Sequence, residues 1–195
     1  MVMLTSCSFV REESVLLGET EQLSSDVLSE KKYKASRSES LSIYYDYDTV
    51  TNMCIDACKE FVNAVSTDSI DFSAFISNPL LITYMEYRVK NYPFDYEGIP
   101  KVKYFITSVE FADDYAVVKG CLGILSGPSE AMEGEVYFVL SNEQGNIVIR
   151  DWYWNYIDSP DVLYRGVFMP EENLDYWNNS DKYNSFMKSL SLENK

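Results

Sequence analysis

The sequence predicts an α+β fold in which N-terminal helices pack on a curved antiparallel sheet of about four to six strands. Between Asp48 and Val65 apolar residues recur every three or four positions, which is typical of an amphipathic helix. From Lys101 onward apolar and polar residues alternate in stretches rich in β-branched and aromatic side chains, which is typical of strands. A length of 195 residues with 46% hydrophobic content fits one domain with its own core.

The helical half of the domain contains one long helix and shorter ones. The long helix is expected to start at a cap formed by Asp48. Its apolar stripe carries Cys54 and Cys58, which could form a redox or metal pair, but free cysteines are usually buried, so we predict small core residues. Residues 69–87 predict one or two shorter helices, divided at Pro79 because proline can open a helix but not sit inside one.

The sheet is predicted from successive strands joined by turns. Asp113-Asp114 predicts a hairpin, Gly127-Pro128 the start of a longer connection, and residues 142–145 another tight turn. Chain neighbours joined in this way are antiparallel. The predicted strands are Val102–Phe111, Tyr115–Leu125, Glu135–Leu140 and Asn146–Trp154.

The N-terminal part of the chain predicts a tether, followed by one domain. Residues 8–42 are serine-rich with mixed charges and too polar to bury a core, so they are expected to be disordered. Residues 43–157 form the predicted domain, and residues 158–195 a loop and a C-terminal helix. This last helix is expected to dock on the domain through Leu174, Trp177, Phe186, Met187 and Leu190.

The four residues from Leu4 to Cys7 resemble the lipobox of bacterial lipoproteins, whose cysteine is lipidated. Residues 1–7 would then be the remnant of a lipoprotein signal, and the protein would be an extracytoplasmic lipoprotein anchored through Cys7. A complete signal has a basic region and an apolar run before the cysteine. Either the coding sequence begins upstream of Met1, or the match is chance and the protein is cytoplasmic.

The composition argues against several classes of function. A net charge of -15 opposes binding to nucleic acids and to anionic membranes, so contact with a membrane is expected only through the lipid on Cys7. The absence of histidine removes the commonest general base and metal ligand. The four cysteines form no CxxC pair, which disfavours structural zinc. No cofactor or metal is therefore expected.

The segment Val109–Val118 and the hairpin from Tyr137 to Ile149 resemble the NTF2-like superfamily, also called SnoaL-like or cystatin-like. The resemblance covers residues 43–157, and together with Leu4–Cys7 it resembles small bacterial lipoproteins that carry such a domain. It implies that the sheet wraps the first helix into a cone with an apolar pocket at its open end. Family enzymes use Asp, Tyr and often His, so their dehydratase-type site cannot be carried over to this chain.

We therefore expect a non-catalytic binding module for an unknown small molecule or protein. Trp152 and Trp154 share one face of the last strand and are expected to border the ligand together with Tyr104 and Tyr137. Tyrosine and tryptophan offer a large contact area with a polar tip, which suits such a surface.

Two other functions remain open. An enzyme of the isomerase type would use Asp151 as base or Glu110 as acid, with Tyr104 or Tyr137 as hydrogen-bond donor. Asp151 would continue the face of Ile147 and Ile149 into the cone, where burial raises a carboxyl pKa. Alternatively, an acidic protein of the immunity type would bind a basic partner. A homodimer formed through the sheet is also possible.

Overall fold

The computed structural model describes residues 33–67, 69–92, 101–126 and 129–193. Four antiparallel strands form one sheet in the order β1-β2-β3-β4, which confirms the predicted α+β class. Among the described residues no helix is both long and apolar enough to cross a bilayer. In chain order the elements are α1 (Ile43–Thr67), α2 (Pro79–Lys90), β1 (Lys101–Phe111), β2 (Tyr115–Ser126), β3 (Ser129–Glu143), β4 (Asn146–Asn155), a π-helical turn (Asp161–Arg165), α3 (Pro170–Asn173), a 3-10 turn (Tyr176–Asn178) and α4 (Ser180–Glu193).

The last residues of the expected tether pack against the domain. The hydroxyl of Tyr33 donates to the Asp56 carboxylate at 2.6 Å, and the Ala35 amide donates to the Gly145 carbonyl at 3.0 Å. The expectation of a disordered tether is therefore wrong for residues 33–42, because their backbone and tyrosine find partners on the domain. The remainder of the tether and the lipobox lie outside the described residues.

Helix α1 begins at Ile43, five positions before the predicted cap. The carboxylate of Asp46, which is 1% exposed, accepts from the Ser36 amide at 2.6 Å and from the Ser42 amide at 2.7 Å. Backbone donors that precede the helix are thus satisfied by Asp46 rather than by Asp48. The prediction failed because it relied on the apolar stripe, and the first turn lies outside that stripe, with Tyr44 and Tyr45 89% and 66% exposed.

Helix α2 begins as predicted at the proline, but the prediction of helix from residue 69 is wrong because residues 69–78 form turns and irregular chain. The side-chain Oδ1 of Asn78 accepts from the Leu80 backbone amide at 2.9 Å, and Pro79 occupies the first turn, where its missing N–H has no cost. On α1, Cys54 and Cys58 are free cysteines with no exposed surface. They are small core residues, as predicted.

Tight hairpins join the strands. The Asp113-Asp114 turn joins β1 and β2 as predicted, and Gln144 and Gly145 turn β3 into β4 with φ angles of 54° and 84°. Two consecutive positive φ values match the twist of the flanking strands, which favours such a turn in a hairpin. Between β2 and β3 the backbone pairs out to Ser126 and Ser129. Gly127 and Pro128 themselves lie outside the described residues, but the expected longer connection is wrong because the residues that follow, from Ser129, belong to β3.

A β-bulge at Arg150 changes which face β4 presents to the core. Ile149 and Asp151 pair with successive residues of β3, so Arg150 is the extra residue. The alternation of side chains slips by one there, and Ile149, Trp152 and Trp154 all belong to the core. Asp151 lies on the opposite, outer face. The prediction that Asp151 continues the face of Ile149 is wrong because it assumed a regular strand.

Helix α1 covers the inner face of the sheet. The Phe61 ring lies 5.9 Å from the Trp152 ring and 5.2 Å from the Trp154 ring, between centroids. All three side chains have no exposed surface. On the outer face, Phe168 packs against Tyr137 and Tyr153 at centroid distances of 4.9 and 5.1 Å. The sheet is thus covered by helix on one side and partly by the C-terminal segment on the other.

The outer edge of β4 is closed by two distant parts of the chain. The Ile147 amide donates to the Tyr33 carbonyl and the Ile149 amide to the Phe75 carbonyl, both at 2.8 Å. Unpaired strand edges are available for pairing with other chains, so closing them is a common protection. The edge of β4 is therefore occupied by its own chain.

Helix α4 docks beside α2. The Phe186 ring contacts the Tyr84 ring of α2 at 5.1 Å, and Trp177 stacks on the same tyrosine at 5.1 Å. Trp177, Phe186 and Leu190 are each at most 2% exposed. These contacts place the C-terminal segment against both α2 and β4, where the functional candidates lie.

Candidate functional site

Two carboxylates and a guanidinium are buried where the C-terminal segment meets β4. We call Asp151, Asp161 and Arg165 the ion cluster. One terminal nitrogen of Arg165 donates to Asp151 at 2.5 Å and the other to Asp161 at 2.8 Å, and each of the three side chains is at most 1% exposed. Burying a charge without a partner costs several kcal/mol, so each of these groups depends on the others.

The Asp151 carboxylate is fully occupied by donors. Besides Arg165, it accepts from the side-chain Nδ2 of Asn173 at 2.6 Å, the Trp177 indole N–H at 2.6 Å and the Trp152 backbone N–H at 3.0 Å. A carboxylate offers about four lone-pair positions. These four donors occupy them, and none is a tyrosine. Asp151 therefore has no acceptor site left for the proton of a substrate.

Asp161 connects the cluster to α2 and to the edge of β4. It accepts from the Tyr84 hydroxyl at 2.8 Å and from the Trp154 amide at 3.1 Å. Burial raises the pKa of Asp161, and the Arg165 guanidinium opposes that rise. Asp161 thus extends the closure of the β4 edge beyond Ile149.

Arg165 lies among aromatic rings. Its guanidinium carbon is 4.0 Å from the Tyr176 ring centroid, 5.0 Å from that of Trp177 and 5.1 Å from that of Tyr153. Burial alone would lower the pKa of Arg165, but the two carboxylates raise it above its usual range. Its Nε has no hydrogen-bond partner within the described residues. The Arg165 guanidinium therefore stays protonated, and Asp151 and Asp161 balance its charge inside the protein.

A second buried arginine completes the charge balance. Arg88 of α2 lies with its guanidinium 4.6 Å from the Trp154 ring centroid and donates to the Tyr156 hydroxyl at 3.1 Å. Its charge also opposes the rise in the pKa of Asp161. Two guanidiniums therefore face two carboxylates, and the buried region carries little net charge.

Above the ion cluster lies a surface groove of about 470 Å³, which we call the C-terminal groove. Its wall on α4 carries polar side chains on one helical face, and its other wall comes from the turns that follow β4. The residues that line it are Tyr153, Tyr164, Arg165, Val167, Glu172, Asn173, Tyr176, Asp181, Lys182, Ser185, Phe186 and Ser189. The lining combines tyrosine and phenylalanine rings with several polar and charged side chains.

The two tryptophans predicted to border a ligand lie inside the core. Trp152 and Trp154 stack on one another at 5.0 Å and have no exposed surface. That prediction is wrong, because the bulge at Arg150 directs both rings under α1, where Phe61 covers them.

The other predicted site residues do not come together. Tyr104 is 3% exposed in the core, and its hydroxyl donates to the Val136 carbonyl at 3.4 Å. Tyr137 lies on the outer face and donates to Glu135 at 2.6 Å, and burial raises its pKa to about 12. Glu110 pairs with Lys119 at 3.3 Å. The expected set around Asp151 is therefore wrong: Tyr104 lies on the opposite face of the sheet, and Tyr137 and Glu110 bond elsewhere.

Sequence reasoning missed the ion cluster and the groove. One local signal was present, since Asp161 and Arg165 are four residues apart, a spacing that brings side chains together on a helical turn. The partners Asp151, Tyr84 and Trp177 come from distant parts of the chain. Contacts among residues so far apart in the sequence can be identified only once the fold is known.

Comparison with known proteins adds no further assignment. No protein-family model matches the chain, and no curated protein or solved structure matches it significantly. Within the described ranges, no group of at least three cysteines or carboxylates is placed to hold a metal ion.

Proposed function

We propose that the protein is a non-catalytic binding module that takes its ligand in the C-terminal groove. The observation that carries the proposal is the occupancy of Asp151, the residue best suited by sequence to act as a base. Four donors hold this carboxylate, and a general base must be free to accept a proton from its substrate. The cluster is suited to hold the fold together rather than to perform chemistry.

The groove supports binding in three ways. It is concave, it is bounded by helix α4 and by the turns that follow β4, and Arg165 in its lining is held from below by Asp151 and Asp161. A site whose lining is held in place loses little conformational entropy when a ligand binds. The half-buried rings of Tyr164 and Tyr176 supply contact area with polar tips.

A location outside the cell is the second part of the proposal. It rests on the lipobox-like Leu4–Cys7 and on the polar segment that follows, which would hold the domain away from a membrane surface. Expression from the gene with its upstream DNA, followed by mass spectrometry of the N-terminal peptide, tests it. A diacylglycerol on Cys7 is expected, whereas an unmodified Cys7 with an intact upstream peptide would refute the anchor.

The binding function is tested by nuclear magnetic resonance on the full ¹⁵N-labelled chain with a mixed library of small soluble compounds. Saturable shifts are expected at amides of residues 164–189, and the compounds should be recovered chemically unchanged. Ser185→Trp places a large ring in the groove from an exposed position and should abolish these shifts. Tyr44→Ala, at a position 89% exposed on α1, serves as the control. Conversion of a bound compound, or binding that survives Ser185→Trp, contradicts the proposal.

A further inference from the structure

We infer that the C-terminal groove binds an uncharged saccharide unit, an inference that rests on the binding function proposed above. The groove combines the half-buried ring of Tyr164 with the hydroxyl of Ser185, the ammonium of Lys182 and the carboxylates of Glu172 and Asp181. Sugars present a face of C–H groups and a rim of hydroxyls that both donate and accept. The tyrosine ring suits the C–H face, and the polar side chains suit the hydroxyls.

Charge argues against an anionic ligand. The guanidinium of Arg165 is already neutralised by Asp151 and Asp161 at 2.5 and 2.8 Å. The exposed carboxylates of Glu172 and Asp181 line the same groove and would repel a phosphate or carboxylate. The net charge of -15 adds a long-range repulsion of the same sign.

The polar wall argues against a lipid or another wholly apolar ligand. Lys182, Ser185 and Ser189 lie on the α4 side of the groove, and an acyl chain would remove their water without replacing its hydrogen bonds, which is costly. The Lys182 ammonium lies 5.7 Å from the Tyr176 ring centroid and offers N–H donors to the hydroxyl oxygens of a ligand. A neutral molecule with many hydroxyls satisfies both walls.

The size of the groove and the placement of its side chains also fit a saccharide. Small-molecule sites span roughly 300 to 1,000 Å³, and a groove of about 470 Å³ accommodates a monosaccharide or disaccharide. The sugar ring would lie against Tyr164, with hydroxyls donating to Glu172 or Asp181 and accepting from Lys182 and Ser185.

The test is a titration of the full ¹⁵N-labelled chain with three uncharged disaccharide probes, N,N′-diacetylchitobiose, maltose and cellobiose. At least one is expected to give saturable shifts at the amides of Tyr164, Lys182 and Ser185 with weak affinity. Ser185→Trp should lower that affinity at least about tenfold, equivalent to about 1.4 kcal/mol. Lys182→Ala, which leaves the groove open, should lower it about threefold, on the order of the loss of one exposed hydrogen bond. Tyr44→Ala should leave it unchanged.

Two outcomes overturn the inference. Either no probe produces saturable shifts at these amides, or the shifts persist unchanged in Ser185→Trp. Trialanine, a peptide probe of similar size, separates this failure from that of the proposed function. If trialanine or members of the compound library bind in the groove and the saccharides do not, the ligand class is wrong and the binding function stands. If none binds there, both fail.

Discussion

The replacement Asp151→Asn tests whether the ion cluster holds the C-terminal segment on the domain. Asparagine keeps the size of the side chain but removes the charge that faces Arg165, 2.5 Å away. The amide group also brings N–H donors toward the donors of Arg165 and Asn173. The buried guanidinium then retains one carboxylate, that of Asp161.

The expected loss follows from burial. Removing one partner of a buried ion pair costs about 3–5 kcal/mol because it leaves an uncompensated charge. The remaining partner Asp161 reduces this, so we expect a decrease of about 3 kcal/mol in the free energy of unfolding. For a domain of this size that corresponds to a fall of about 6–12 °C in Tm.

Urea unfolding followed by tryptophan fluorescence measures the loss, and hydrogen exchange locates it. Amides of residues 158–178 should exchange faster in Asp151→Asn, while those of α1 should change less. Asp175→Asn is the matched control, since Asp175 also pairs with an arginine, Arg150 at 3.2 Å, but its side chain is 84% exposed. If Asp151→Asn is no less stable than Asp175→Asn, the ion cluster does not hold the C-terminal segment on the domain.

Three further predictions concern the core, the thiols and the pH dependence. Gly120→Ala would place a Cβ 2.6 Å from the Tyr104 ring and should lower the urea midpoint, with a loss of about 1–3 kcal/mol; an unchanged midpoint would refute the close packing. Burial raises the pKa of both Cys54 and Cys58, so iodoacetamide should label them only after denaturation, as peptide mass spectrometry can show. The folded-state pKa of Asp161 is raised by burial, so its contribution is present below the unfolded pKa of about 3.9 and is lost as pH rises through the folded value. The free energy of unfolding should therefore fall less steeply with rising pH in Asp161→Asn than in the wild type, and equal slopes would contradict this.

The order of helices and strands could be predicted because each type of element has its own period of apolar residues along the chain. The apolar stripe of α1 and the proline start of α2 were both readable. The start of α1 was not, since the capping carboxylate of Asp46 works through Ser36 and Ser42, which lie outside the periodic stretch. Capping contacts of that kind are visible only when the preceding segment is placed.

The orientation of β4 and the candidate site could not be predicted for a related reason. The bulge at Arg150 shifts the alternation by one residue, and nothing in the residue types around it signals the shift. All inferences on Trp152, Trp154 and Asp151 depended on that alternation. The groove is built from an irregular segment, where spacing along the chain does not report proximity in space.

The closed edge of β4 also has a consequence for self-association. Residues 33–35, Phe75 and Asp161 together occupy backbone groups along this strand. A proteolytic cut before Tyr33 would leave that cover in place, whereas trimming a few residues further would uncover amides of β4 that can pair with a neighbouring molecule. Fragments that begin at Tyr33 or before it should therefore stay monomeric after limited proteolysis, whereas fragments that begin a few residues later should aggregate.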